Sequence, residues 1–173
     1  MNILGKTLCA SIILLTASSC SLSSSASSVD HAEELVADGR YEEAIEMYSN
    51  HIEERLAEPS KPEWENPYFY LLAIGDIQLR MGQPTQALAS FNEAEQHKVE
   101  QPLIADRYRS VAIWYEEHEQ LDKAFEVLKT YRDRDSLIFD TMLDRLARRL
   151  TAQEAQTATK QKCSKVAKVG CSR

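Results

Sequence analysis

The stretch MGQPTQALASFNEAE, residues 81–95, carries the features of a turn between two helices. Gly82 can end one helix in the left-handed conformation, and Pro84 suits the first turn of the next helix. Ala87 and Phe91 then follow at helical spacing. The stretch predicts one helical hairpin. Whether the hairpin recurs decides what kind of fold the chain forms.

The pattern occurs twice more, in ADGRYEEAIEMY at 37–48 and in HEQLDKAFEVL at 118–128. Each copy has a turn, a short polar run, an alanine, and a large side chain four residues later. The pairs are Ala44/Tyr48, Ala87/Phe91 and Ala124/Leu128, and the alanines are 43 and 37 residues apart. Gly39 and Gly82 stand five residues before their alanines, and Glu119 holds that place in the third copy.

The segments before the second and third turns contain a small residue among large apolar ones. Gly75 follows Leu71 and Ile74, and Ala112 follows Tyr108 and Val111 and precedes Tyr115. Small residues let two helices approach closely, while the large side chains fill the space beside them. We expect the helix before the first turn to begin at Asp30, whose side chain suits an N-cap.

Residues 30–133 therefore resemble the tetratricopeptide repeat (TPR), a helical hairpin of about 34 residues. The resemblance implies an all-α fold, a short α-solenoid of TPR-like helical hairpins with a C-terminal capping helix. The sequence departs from the family in its truncated first helix, in Gln78 where an aromatic residue is usual, and in the long connection Glu58–Pro67. A general α-helical bundle is the alternative, and it predicts the same helices.

Residues 134–158 predict the capping helix, because solenoids need a terminal helix with one apolar face and one wet face. Arg145, Arg148 and Arg149 are expected on its wet side. A helix that binds a partner is the alternative. The expected apolar stripe consists of Leu137, Ile138, Met142, Leu143, Leu146 and Leu150.

The first 19 residues are typical of a bacterial lipoprotein signal peptide. The apolar run TLCASIILLT, residues 7–16, is too short to span a bilayer, and small residues precede Cys20. This resembles the lipobox, which implies that Cys20 is lipidated with palmitate or a similar chain. Residues 20–29 would be a Ser-rich tether. Ser21 after the cysteine resembles lipoproteins of the outer membrane that face the periplasm. Ordinary secretory cleavage near Ser19 is the alternative.

Residues 159–173 form a basic tail. Cys163 and Cys171 remain once Cys9 and Cys20 are accounted for, and in an oxidising compartment they predict a disulfide loop. The tail carries a charge of +5, whereas residues 30–159 hold 27 acidic and 14 basic residues, a net charge of −13. An acidic body argues against nucleic-acid binding. The tail could contact anionic lipid, an acidic partner or its own acidic body, or be solvated.

No catalytic or metal-binding pattern is apparent, so we expect no enzyme activity, no cofactor and no metal. The four histidines lack a metal-ligand spacing, and the acidic neighbours of His118 are expected to be solvated rather than to bind a metal. An enzyme without a recognisable motif is the third alternative, after an adaptor and a permanent structural subunit of an envelope complex.

The resemblance favours the adaptor, a lipid-anchored scaffold for protein–protein interaction that assists assembly of a pilus, secretion pore, outer-membrane protein or cell-wall machinery. Its partner would be another envelope protein. In this family the first helices of the hairpins line the inner surface. Carried over by position, this gives a partner groove of eight residues: Phe69, Leu72, Asp76, Arg80, Asp106, Arg109, Ile113 and Glu116.

Overall fold

The structure is a computed structural model that describes the backbone of residues 24–170 and the side chains of residues 28–160. The expected signal peptide (1–19), the lipidated Cys20 and the disulfide partner Cys171 lie outside the described residues. Nothing in the fold therefore bears on them directly.

Within residues 24–170, seven α-helices follow one another, and each packs against its neighbours in chain order. They form three hairpins, α1–α2, α3–α4 and α5–α6, and a last long helix. The fold is the predicted all-α solenoid. Two short 3₁₀ turns, Pro67–Phe69 and Arg132–Arg134, stand before α3 and α7. The helices are α1 (Ser24–Ala37), α2 (Tyr41–Ala57), α3 (Tyr70–Arg80), α4 (Pro84–Gln96), α5 (Gln101–Glu117), α6 (Leu121–Thr130) and α7 (Ser136–Gly170).

The three hairpin turns are built alike, which confirms that the aligned segments are structural copies. Gly39, Gly82 and Glu119 have φ angles of 75°, 72° and 55°. In each turn the next amide donates to the carbonyl five residues earlier, at 2.8 Å from Arg40, 2.8 Å from Gln83 and 2.9 Å from Gln120. This is the helix-ending motif that a left-handed residue permits. Glu119 adopts it without the conformational freedom of glycine.

Close contact between the two helices of a hairpin depends on the predicted small residues. Ala44, Ala87 and Ala124 are completely buried, and so are the partner side chains Phe91 and Leu128. A Cβ atom on Gly75 would lie 2.1 Å from the Phe91 ring. Only glycine therefore fits at this point of α3. Gln78, in place of the family's aromatic residue, accepts a hydrogen bond of 2.8 Å from the Ser90 hydroxyl across the same hairpin.

Both terminal helices are longer than the sequence pattern predicted. α1 begins at Ser24, inside the expected tether, so Asp30 lies within the helix and the N-cap assignment was wrong. α7 continues through the expected tail to Gly170 and contains Cys163. Because Cys171 lies outside the described residues, the bond from Cys163 to Cys171 stays a prediction.

The buried face of α7 is rotated from the expected apolar stripe. Leu137 is 80% exposed and Ile138 is also exposed, so both were wrongly placed in the stripe. Phe139, which the pattern omitted, is buried together with Met142 and Leu146. The spacing 139, 142, 146 is that of one helix face, and this face lies against α6.

His51 attaches the start of α1 to the rest of the solenoid. Its Nδ1 atom lies 2.9 Å from the Ser28 hydroxyl of α1, and its ring meets the Tyr70 ring edge-on with centroids 4.6 Å apart. Burial lowers the pKa of His51, and the nearby Arg55 cation lowers it further.

We predict that Ala87→Leu destabilises the fold by about 1–3 kcal/mol, because overpacking a close helix contact forces the helices apart. Ala89→Leu, at an exposed position of the same helix, is the matched control. Thermal melting of the two variants gives the comparison. Equal melting temperatures would contradict the assignment of Ala87 to the tight contact.

We predict that acidification destabilises the fold through His51. Below the unfolded pKa of about 6.5, the unfolded chain binds a proton at this position while the folded chain does not. Stability then falls as the pH falls, by up to about 1.4 kcal/mol per pH unit until the lowered folded pKa is reached. Urea titrations between pH 7.5 and 5.5 should show a smaller loss for His51→Gln. The exposed variant His31→Gln keeps His51 and should lose as much as the parent protein.

Candidate functional site

A cleft of about 600 Å³ lies between α5 and α7. From α5 it contains Arg109, Ile113 and Glu116, three of the eight predicted groove residues. The facing side chains of α7 are Ile138, Met142, Arg145 and Arg149. The last helix therefore forms one wall of the predicted groove as well as covering the end of the core.

Glu116 connects the two walls of this cleft. Its two carboxylate oxygens accept hydrogen bonds from Arg145 at 2.6 Å and from Arg149 at 2.5 Å. The Glu116 side chain is only 14% exposed, so the pairs are stronger than ordinary surface ion pairs. Arg145 and Arg148 are exposed as expected, whereas Arg149 is half-buried. Glu117 and Glu119 also line the cleft, and Glu119 lies 3.6 Å from Arg149, so the three arginines of the cleft face three carboxylates.

A second charged cluster joins α3 to α5. Arg107 lies 2.9 Å from Asp76 and 3.4 Å from Asp106, and Asp106 also pairs with Arg109. Burial raises the pKa of Asp76 although Arg107 and Arg80 act in the opposite direction. Asp76 and Asp106, both predicted, are therefore brought together by a residue that the sequence analysis missed. Nothing in the repeat pattern distinguishes Arg107 from a solvated arginine.

The other three predicted groove residues, Leu72, Phe69 and Arg80, do not line the cleft between α5 and α7. Leu72 is only 2% exposed and belongs to the core, so its placement in the groove was wrong. Phe69 is 49% exposed, but it lies in a different cleft with Trp64. Arg80 is exposed at the end of α3. The first helix of the second hairpin therefore contributes less to the groove than the family resemblance implies.

The α7 side of the cleft could have been found from the sequence. Ile138, Met142, Arg145 and Arg149 are spaced by four, three and four residues, which places them on one helix face. The sequence analysis divided this set between the apolar stripe and the wet side. The observed face is mixed in character, with two apolar side chains followed by two arginines.

The cleft combines apolar and charged side chains. Such a lining is suited to binding a peptide segment, because apolar side chains offer contact area and charges can fix the register of the segment. Within the part of the chain that the structure describes, no three His, Cys, Asp or Glu side chains are grouped to hold a metal ion. None of the helices in that part has the length and apolar character needed to cross a membrane.

Neither a protein-family model nor a curated protein matches the chain.

We predict that Glu116→Gln loosens α7 by about 1 kcal/mol, because it removes the charge that both arginines share. Hydrogen exchange should become faster in α7 between residues 140 and 150. Glu117→Gln, one residue along and exposed, is the matched control and should leave this exchange unchanged. Equal exchange in the two variants would show that Glu116 does not hold the cleft together.

Proposed function

We propose that this protein is a TPR-like lipoprotein that acts as a lipid-anchored scaffold at the periplasmic face of the outer membrane. Its cleft between α5 and α7 binds a segment of another envelope protein and so assists assembly of an envelope complex. The observation that carries the proposal is the mixed apolar and charged lining of the cleft on the first-helix side of the solenoid.

Two features of the cleft support a peptide segment as the bound partner. Ile113 and Ile138 remain partly exposed although they lie in the cleft, so they offer apolar surface. Three arginines and three glutamates also line the cleft, so charges of both signs surround this apolar surface. A segment with an apolar side chain flanked by charged groups would match both features.

The turns support the family part of the proposal. Gly39, Gly82 and Glu119 share the left-handed conformation and the same hydrogen bond, as expected of successive copies of one hairpin. The anchor part depends on Cys20 and the apolar run before it.

Site-specific photocrosslinking in the native envelope tests the proposal. A photoreactive amino acid at Ile113 should yield one discrete adduct with an envelope protein. The same amino acid at Glu126, on an exposed face of α6, is the matched control and should yield none. The adduct at Ile113 should weaken when Arg149→Gln is added, because the segment loses a cation that fixes its register.

Two results would contradict the scaffold. The first is an adduct pattern that is the same at Ile113 and Glu126. The second is no protein adduct at Ile113 while the cleft instead captures a small metabolite.

A further inference from the structure

The large exposed apolar side chains are concentrated in one part of the molecule. Among the residues whose side chains the structure describes, six are both large and exposed, and Ile113 in the cleft is one of them. The other five lie in or next to the connections between hairpins. They are Leu56 at the end of α2, Trp64 and Phe69 before α3, and Leu137 and Ile138 at the start of α7.

These connections lie at the end of the solenoid where α1 begins. In an antiparallel hairpin the first helix begins where the second helix ends. The contact of Ser28 with His51 places the start of α1 beside the last turns of α2. His51 in turn contacts Tyr70, which shares a cleft with Trp64 and Phe69. The hairpin turns at Gly39, Gly82 and Glu119 lie at the other end, and none of these five residues is found there.

Trp64 is exposed on a loop whose next two residues are held by hydrogen bonds. It is 85% exposed, although its neighbour Glu65 accepts two hydrogen bonds from Arg55 at 2.7 and 2.6 Å. Asn66 caps the next turn through the Tyr68 amide at 3.2 Å and donates to the His97 carbonyl at 2.9 Å. The loop is thus tied to α2 and to the end of α4 immediately after the exposed indole. Beside it, Phe69 and Leu103 line an open cleft of about 500 Å³.

We propose that this end of the solenoid contacts the membrane, with Trp64, Phe69 and Leu56 seated between the lipid headgroups and the acyl chains. The inference rests on the proposed lipid anchor at Cys20. Four Cα–Cα steps separate Cys20 from Ser24, which span at most about 15 Å. A lipidated Cys20 therefore keeps the start of α1, and the apolar side chains at the same end, close to the bilayer surface.

Tryptophan favours this environment because its ring is apolar while its N–H can bond to headgroups or water. The charges near Trp64 do not favour an electrostatic contact with anionic lipid. Around Trp64 the chain carries Glu58, Glu63, Glu65 and Glu100 against Arg55, Lys61 and Lys98. The surface is thus slightly acidic. The contact is apolar, so it forms on zwitterionic lipid and does not weaken as salt is raised.

Tryptophan fluorescence of the full lipidated protein in phosphatidylcholine vesicles tests the contact. The chain has two tryptophans. Trp114→Phe leaves Trp64 as the reporter, and the ring that stacks on His118 is replaced by another aromatic ring. Trp64→Phe leaves Trp114 as the matched control. Trp114 lies near the C-terminal end of α5, which is at the end of the solenoid away from Trp64. Lipids brominated on the acyl chains should quench Trp64 at least about twofold more strongly than Trp114, because an indole at the interface reaches the acyl chains.

The outcomes separate the contact from the anchor. If the protein floats with vesicles while Trp64 is quenched by aqueous iodide and not by brominated lipid, the anchor holds and the contact is overturned. If Trp64 is shielded from both quenchers, a protein covers this surface and the contact is again overturned. If neither the parent protein nor Cys20→Ala floats with vesicles, both proposals fail. Flotation of Cys20→Ala that is lost on adding Trp64→Ser supports the contact and shows that it holds the protein on lipid without the anchor.

Discussion

The close approach of paired helices is the constraint on which the rest of this structure depends. At Gly75 the α3 backbone lies so near the Phe91 ring that a single added carbon would overlap it. Ala112 takes the corresponding place in α5 and is also buried. Each closed hairpin gives the next one a defined surface to pack against. The α5–α7 cleft and the exposed end with Trp64 both follow from that stacking.

The hairpins could be predicted from sequence because their determinants are local. A turn residue, a small residue five positions later and a large one after that all lie within about ten residues of one another. Even Glu119, which breaks the glycine pattern, was placed correctly by its distance from Ala124. The face of α7 was not predictable in the same way. Whether Leu137 or Phe139 is buried depends on where α6 lies, and residues 137–139 are all apolar.

The candidate site was only partly predictable for a related reason. Its side chains pair with residues that are distant in the sequence, such as Glu116 with Arg149 and Asp76 with Arg107. A repeat pattern predicts which helix face is inward, and it placed Ile113 and Glu116 correctly in the cleft. It does not predict how deeply each position is covered, so Leu72 was assigned to the groove while it fills the core. The spacing of residues in the sequence does not show which charged side chains of different helices form pairs.

The length of α7 has a geometric consequence for the lysines near the C-terminus. The helix begins beside the proposed membrane end and has 35 residues, so it extends about 50 Å. The positions of Lys160, Lys162, Lys165 and Lys168 then lie roughly 35–50 Å along this rod from its start. They would stand well beyond the Debye length of about 8 Å from the anchoring bilayer. If the proposed membrane contact holds, the rod would carry its positive charge away from the lipid surface.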